Sequence, residues 1–207
     1  MPFHREGFAT LLGAELHAPE TALGEDWHLL AVGLPPDFPS TSAEEGEPDL
    51  ARRAVEAGAF VGIAHPAWYG LTLADAESLK GAAHAVQVYN HSALEDNDRS
   101  AGWYLADALL ADGRRINAFA ADDAHLRKGA PDAFGGWVQV RSEALEPESI
   151  LAALKADHYY LSQGPEIHRV EVGEGSVLVR WWTRRTGGRG PTPLARPRLG
   201  VAQGQGS

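Results

Sequence analysis

The residues of this chain best suited to chemistry are carboxylates and imidazoles. In "INAFAADDAHL", residues 116–126, an apolar run of strand character ends in Asp122, Asp123 and His125. Charged groups beside a buried strand are costly unless something uses them. Asp123 and His125 are two apart, so in an extended segment they share a face and reach one site. A polar turn, with Asp122 or Asp123 capping the next helix, accounts for the same residues. His65 precedes Pro66, which holds it extended so that it projects from a strand end. Glu15 follows "LLGA", His28 follows Trp27, and Asn90 ends "VQVYN". Each has an ordinary reading too: a surface acid, a packed strand histidine, a turn former. Together, one Glu and two His form a zinc-type ligand set with an open fourth position. Carboxylates that bridge cations activate water and stabilise a leaving oxyanion. Other chemistries find no support, since there is no cysteine, no Gly-x-Ser-x-Gly, no phosphate-binding Walker loop and no strand-linked Gly-x-Gly-x-x-Gly.

These residues need elements to position them. Short apolar runs predict strands at 8–12, 28–34, 60–64, 85–89, 116–121 and 136–141, then at 158–162, 168–172 and 176–182. Helical spacing predicts helices at 49–57, capped by Asp49 and stopped by Gly58, and at 74–81, 97–112 and 147–156. Residues 35–48 read as a loop. Alternation between residues 8 and 141 predicts a parallel α/β sheet or barrel. In a barrel, functional groups sit just past the strand C-terminal ends, where Glu15, His65, Asn90, Asp123 and His125 fall. His28 opens its strand instead. His4, His17, His84, His91, His158 and His168 lack such a placement and read as structural or solvated.

With 207 residues, 44% hydrophobic and 22% charged, the chain suits one domain with a substantial core. Net charge is −10, and all five Arg from Thr183 onward lie in a segment without acids, so residues 1–182 carry −15. That balance repels a nucleic-acid backbone and suits cations. No run approaches the roughly 18 apolar residues of a membrane span, and a cytoplasmic location is the default expectation. The Gly-, Pro- and Arg-rich segment 183–207 cannot bury enough surface to offset its ordering, and it reads as a disordered tail after a domain of residues 1–182.

The ordered set "GAEL", "WHLLAVGL", "GIAHPAW", "VQVYN", "WYLADALLADG", "AADDAH" and "ILAALKADHYYLSQGP" resembles the PHP (polymerase and histidinol phosphatase) superfamily, over about Phe8 to Glu171. The likeness is greatest to its stand-alone metal-dependent phosphoesterases and carbaryl-hydrolase-like metallohydrolases. It implies a distorted seven-stranded, TIM-like β/α barrel holding up to three divalent metals (Zn, Mn or Fe), and hydrolysis of phosphoesters by metal-activated water. By this resemblance Glu15 bridges the first two metals, His28 and His65 complete the second, Asp123 binds the first and His125 the third. Asp123 and His125 also serve catalysis, and Asn90 faces the pocket as a substrate-binding residue. The family's N-terminal His-x-His and its downstream Asp-His motif are absent from this chain. The resemblance therefore implies an incomplete barrel missing its first β/α units, with apolar strand edges exposed and oligomerisation through the open side. The expected cofactor is about one divalent ion, held by Glu15, His28 and His65, with little phosphatase activity. The expected partner is a small phosphoester or related ester such as a carbamate, with no nucleic acid and no membrane. The alternative is a catalytically defective PHP remnant that binds about one metal or is only structural.

Overall fold

The strand nearest the candidate site runs against its neighbours, and the sheet is built around that reversal. The computed structural model describes residues 4–18, 21, 23–183 and 198–203. The chain forms two compact units, Met1–Leu161 and Ser162–Ser207.

In the first unit, β1 (His4–Arg5) and β2 (Phe8–Ala9) form a small antiparallel ribbon. β3 (Gly13–Ala18) and β4 (Trp27–Val32) follow, then α1 (Glu47–Glu56), β5 (Phe60–Ile63), α2 (Pro66–Tyr69), α3 (Leu73–Ser78) and β6 (Ala85–Asn90). After these come α4 (His91–Asn97), α5 (Trp103–Ala111), β7 (Asn117–Ala121), β8 (Trp137–Val140), α6 (Pro147–Lys155) and β9 (Tyr159–Ser162). The main sheet has five strands in the order β3-β4-β5-β6-β7. β4 is antiparallel to both β3 and β5, whereas β5, β6 and β7 are parallel. The fold is mixed α/β, and among the described residues the sheet does not close. The all-parallel sheet or barrel expected from strand–helix alternation is thereby corrected. Alternation misleads because Val32 pairs with Phe60, so β5 starts beside the end of β4. The loop at 33–46 undoes the crossover that α1 makes.

The sheet is covered on both faces. In β4, Trp27, Leu29 and Ala31 point one way and are buried with Val61, Ile63 and Val86 against Leu50 and Ala54 of α1 and Leu105 and Leu109 of α5. The alternate residues Leu30 and Val32 join Phe60, Ala85 and Phe119 against Ile150, Leu151 and Leu154 of α6. Alternation of apolar side chains on a strand buried on both sides dictates this two-core arrangement.

Several boundaries differ from the sequence expectations. The strand expected at 8–12 is split, and the pairing strand is β3, so Glu15 lies inside a strand and not beyond its end. The helix expected at 97–112 begins only at Trp103, because Asp98 takes a left-handed φ of 62° and Ala101 bridges to Tyr89, and α4 before it was not expected. Gly102 then starts α5 where a Cβ would lie 2.0 Å from the Gln87 carbonyl oxygen, a gap that admits only glycine. α1 starts at Glu47, not after Asp49, with Pro48 in its first turn. Arg53 of α1 grips the preceding loop: it donates to both Glu45 carboxylate oxygens at 2.8 and 2.6 Å and lies over the Phe38 ring.

In the second unit, β10 (Pro165–Gly173), β11 (Ser176–Thr183) and β12 (Arg198–Gln203) form an antiparallel sheet. Residues 198–203 were expected to lack regular structure; backbone pairing with β11 gives them a ladder that composition does not reveal. The rest of the expected tail, 184–197 and 204–207, lies outside the described residues. No helix among the described residues is long and apolar enough to cross a membrane.

Glu47 is 3% exposed, and neither carboxylate oxygen has a hydrogen-bond partner among the described residues. The helix N-terminus favours its charge, but burial, aided by the charge of Asp26, pushes its pKa up from 4.5 to about 8. A raised folded-state pKa means that the folded chain holds more protons than the unfolded one between those values. The contribution of Glu47 to stability is therefore full below pH 4.5 and is lost as pH rises through about 8. Glu47→Gln should match the parent near pH 4 and exceed its stability by a few kcal/mol near pH 9. Urea unfolding across that range measures the difference, and a difference that does not grow with pH would contradict the assignment.

Candidate metal centre

Because β4 is reversed, its first residues lie at the same sheet edge as the C-terminal ends of β3 and β5. His17 of β3 pairs directly with His28, and Leu29 pairs with Ile63, two residues before His65. This explains why His28 opens its strand while His65 and Asp123 stand beyond the ends of theirs. Glu15, His17 and His28 share one face, since Glu15 pairs with Leu30 and His17 with His28.

Three ligand atoms converge there. Glu15 Oε1 lies 2.8 Å from His28 Nδ1 and 3.0 Å from His65 Nε2, and the two nitrogens are 3.3 Å apart. Donors about 2.0–2.1 Å from a tetrahedral zinc ion would be roughly 3.3–3.4 Å from one another. The triangle is near that size, and the donor set of two imidazoles and a carboxylate is of the right kind. Glu15, His28 and His65 could therefore hold one metal ion. Both imidazole nitrogens approach the same Glu15 oxygen. Hydrogen bonds from His28 and then His65 hold the Glu15 carboxyl well below the usual carboxylate range, so it is charged. On the far side of its ring, the buried His65 Nδ1 has no partner among the described residues.

The triad opens on a cleft of about 450 Å³ that Asp123 and His125 also line, with Tyr69, Asp96 and Arg127. All five expected ligands thus face one cleft. Only Glu15, His28 and His65 gather at ligand spacing among the described residues. Asp123 takes a left-handed φ of 54°, and its Oδ2 accepts from Asn90 Nδ2 at 3.1 Å. His125 donates its backbone N–H to Asp132 at 3.0 Å. Asn90, expected to meet substrate, is fully buried; its side chain caps α4 by accepting from Ala93 N–H and supports Asp123 from below. Asp122 caps no helix. Its carboxylate accepts the backbone N–H groups of Phe134, Gly135 and Gly136 and so shapes the loop before β8.

Two site residues escaped the sequence reading. The Tyr69 hydroxyl lies 3.0 Å from His28 Nε2, the ring nitrogen facing away from the triad. A partner there fixes the tautomer and orientation of a ligand imidazole. Burial, then the charge of Glu15, raises the Tyr69 pKa, keeping it a neutral hydroxyl. Its signal was position: residue 69 is one helical turn after His65. His17 stacks on His28 with ring centroids 3.9 Å apart and lies 3.4 Å from Glu15 Oε2. Its spacing of two from Glu15 was visible, but placing the strand at 8–12 hid its meaning.

No protein-family model matches the chain, and a search of the curated proteins returns no match.

Asp122→Ala should free three backbone donors and cost about 2 kcal/mol of stability. Hydrogen exchange at Gly135 and Gly136 should rise with it. Unchanged exchange there would mean that the loop is held by something else.

Proposed function

We propose that this chain is a PHP-type metal-dependent phosphoester hydrolase acting on a small molecule. The observation that carries the reading is the convergence of Glu15, His28 and His65, from β3, β4 and the turn after β5, at the spacing of a divalent ion's donors. On this reading the five-stranded sheet corresponds to part of the family's distorted barrel. Two imidazoles and a carboxylate suit zinc, with manganese or iron as alternatives. When bound, the ion supplies Lewis acidity, making water a nucleophile near neutral pH and stabilising charge on a phosphoryl oxygen.

The chain's own residues divide the remaining work. Glu15 contributes the negative charge of the triad, and Tyr69 orients His28. Asp123 and His125 face the cleft, where they accept the proton of the attacking water and return it to the leaving oxygen. The water oxygen joins phosphorus as the bond from phosphorus to the leaving oxygen breaks. Arg127 is the cationic side chain of permanent charge in the cleft lining and meets the anionic phosphoryl group.

A second reading, a one-ion PHP remnant without turnover, is favoured by one observation. Asp123 and His125 do not gather at ligand spacing with the triad, while in-line displacement gains from metals on both attacking and leaving oxygens.

Metal analysis after dialysis against zinc should find about one ion per chain. His65→Ala should lose it and His125→Ala should keep it. The zinc- or manganese-loaded chain should hydrolyse 4-nitrophenyl phosphate slowly, faster than an aryl carbamate, and His65→Ala should abolish that turnover. One bound ion with no turnover of either ester would establish the second reading. An ion retained by His65→Ala would overturn both.

A further inference from the structure

Two residues of the cleft, His65 and Asp123, are not glycine yet have positive φ, at 21° and 54°. Such conformations cost about 1–3 kcal/mol each and persist only where the surroundings hold them. Pro66 adds to the strain at His65, because a residue before proline is disfavoured outside extended backbone. Two neighbouring buried amides meet them, one each. Gln87 Oε1 accepts the His65 backbone N–H at 2.7 Å, and Asn90 Nδ2 donates to Asp123 Oδ2 at 3.1 Å. Asn90 Nδ2 also approaches Gln87 Oε1 at 3.5 Å, which joins the two amides. Gln87 is 3% exposed and Asn90 0%, so neither amide has water as a substitute partner.

The pairing is anchored at its other atoms. Gln87 Nε2 donates to the Ala121 carbonyl, one residue before Asp122, and Asn90 Oδ1 caps α4. Residues three apart on a regular strand point to opposite faces. Here the β6–β7 register shifts between Gln87 and Tyr89. An irregularity of that kind re-aims one side chain and brings Gln87 and Asn90 to the same side.

We infer that Gln87 and Asn90 are positioning residues: a buried amide pair that holds His65 and Asp123 in left-handed backbone and sets the triad's imidazole against the cleft's second carboxylate. Among the described residues, the Gln87 side chain does not line the cleft and its hydrogen bonds reach the triad through the His65 backbone. It acts by fixing where the His65 ring stands.

The affinity arm of the test rests on the metal-centre reading; the backbone arm does not. Gln87→Met keeps the length of the side chain and removes the acceptor, while Gln87→Glu restores an acceptor. Zinc affinity of the intact chain should fall about 10- to 100-fold in Gln87→Met, the cobalt(II) absorption of the site should shift, and Gln87→Glu should recover most of both. Three-bond HN–Hα couplings at His65 and Asp123 should change in Gln87→Met with the cooperative unfolding transition retained. Asn90→Ser, which keeps a capping oxygen for Ala93, should change the coupling at Asp123 and leave the fold intact, so the claim stands or falls even if Gln87→Met does not fold. A parent chain that binds neither zinc nor cobalt sinks the metal-centre reading, and the couplings then decide the positioning claim alone. Unchanged couplings in Gln87→Met, or in Asn90→Ser at Asp123 where Gln87→Met does not fold, would overturn it, as would wild-type zinc affinity in a folded Gln87→Met.

Discussion

Everything at the candidate centre depends on β4 running backwards. In a sheet whose other neighbours near the site are parallel, a strand opens at one edge and closes at the other. His28 is the second residue of β4, and only an antiparallel β4 sets it beside Ile63 and His65 at one flank and His17 at the other. The reversal in turn needs the chain to travel back before β5. The loop at 33–46 does this, held to α1 through Arg53, Glu45 and Phe38. One topological choice therefore links an apparently unremarkable surface loop to the convergence of Glu15, His28 and His65.

Around that centre the protein tolerates several arrangements that would be avoided elsewhere. Three polar atoms crowd within 3.3 Å of one another. His65 and Asp123 adopt backbone conformations that ordinary residues avoid. Asn90 and Gln87 are buried amides, with their polarity met by the residues they position. Such costs are offset by the two apolar cores, where Leu29, Leu50, Ile63 and Leu105 are almost wholly out of water. Fully packed strands under the site and strained residues above it are the usual division between scaffold and function.

The legible part of the sequence was the part written in local patterns. The runs at β4, β5, β6 and β7 and the helices α1 and α6 were visible in apolar spacing and stop signals, within a few residues at each end, and so was the C-terminal end of α5. So were the candidate ligands, since an imidazole before proline and acids after a buried strand stand out by type. Strand direction was not legible, because alternation of strand and helix reads the same whether a long loop runs back or not. Nor was the role of Asn90, whose type suits a turn, a cap or a pocket, until burial chose the cap and the support of Asp123. Gln87 gave no sign at all, since a single polar residue in "AVQVYN" gains meaning only from the register shift that turns it toward His65.

The central claim is that two imidazoles and one carboxylate from three separate segments bind a single divalent ion. Zinc K-edge X-ray absorption on the zinc-loaded chain tests it most directly, because imidazole rings leave a characteristic outer-shell scattering that carboxylates and water do not. The account predicts a low-coordinate nitrogen and oxygen shell at about 2.0–2.1 Å with two imidazole rings, reduced by one ring in His28→Ala. An all-oxygen shell, or a spectrum unchanged by His28→Ala, would contradict it.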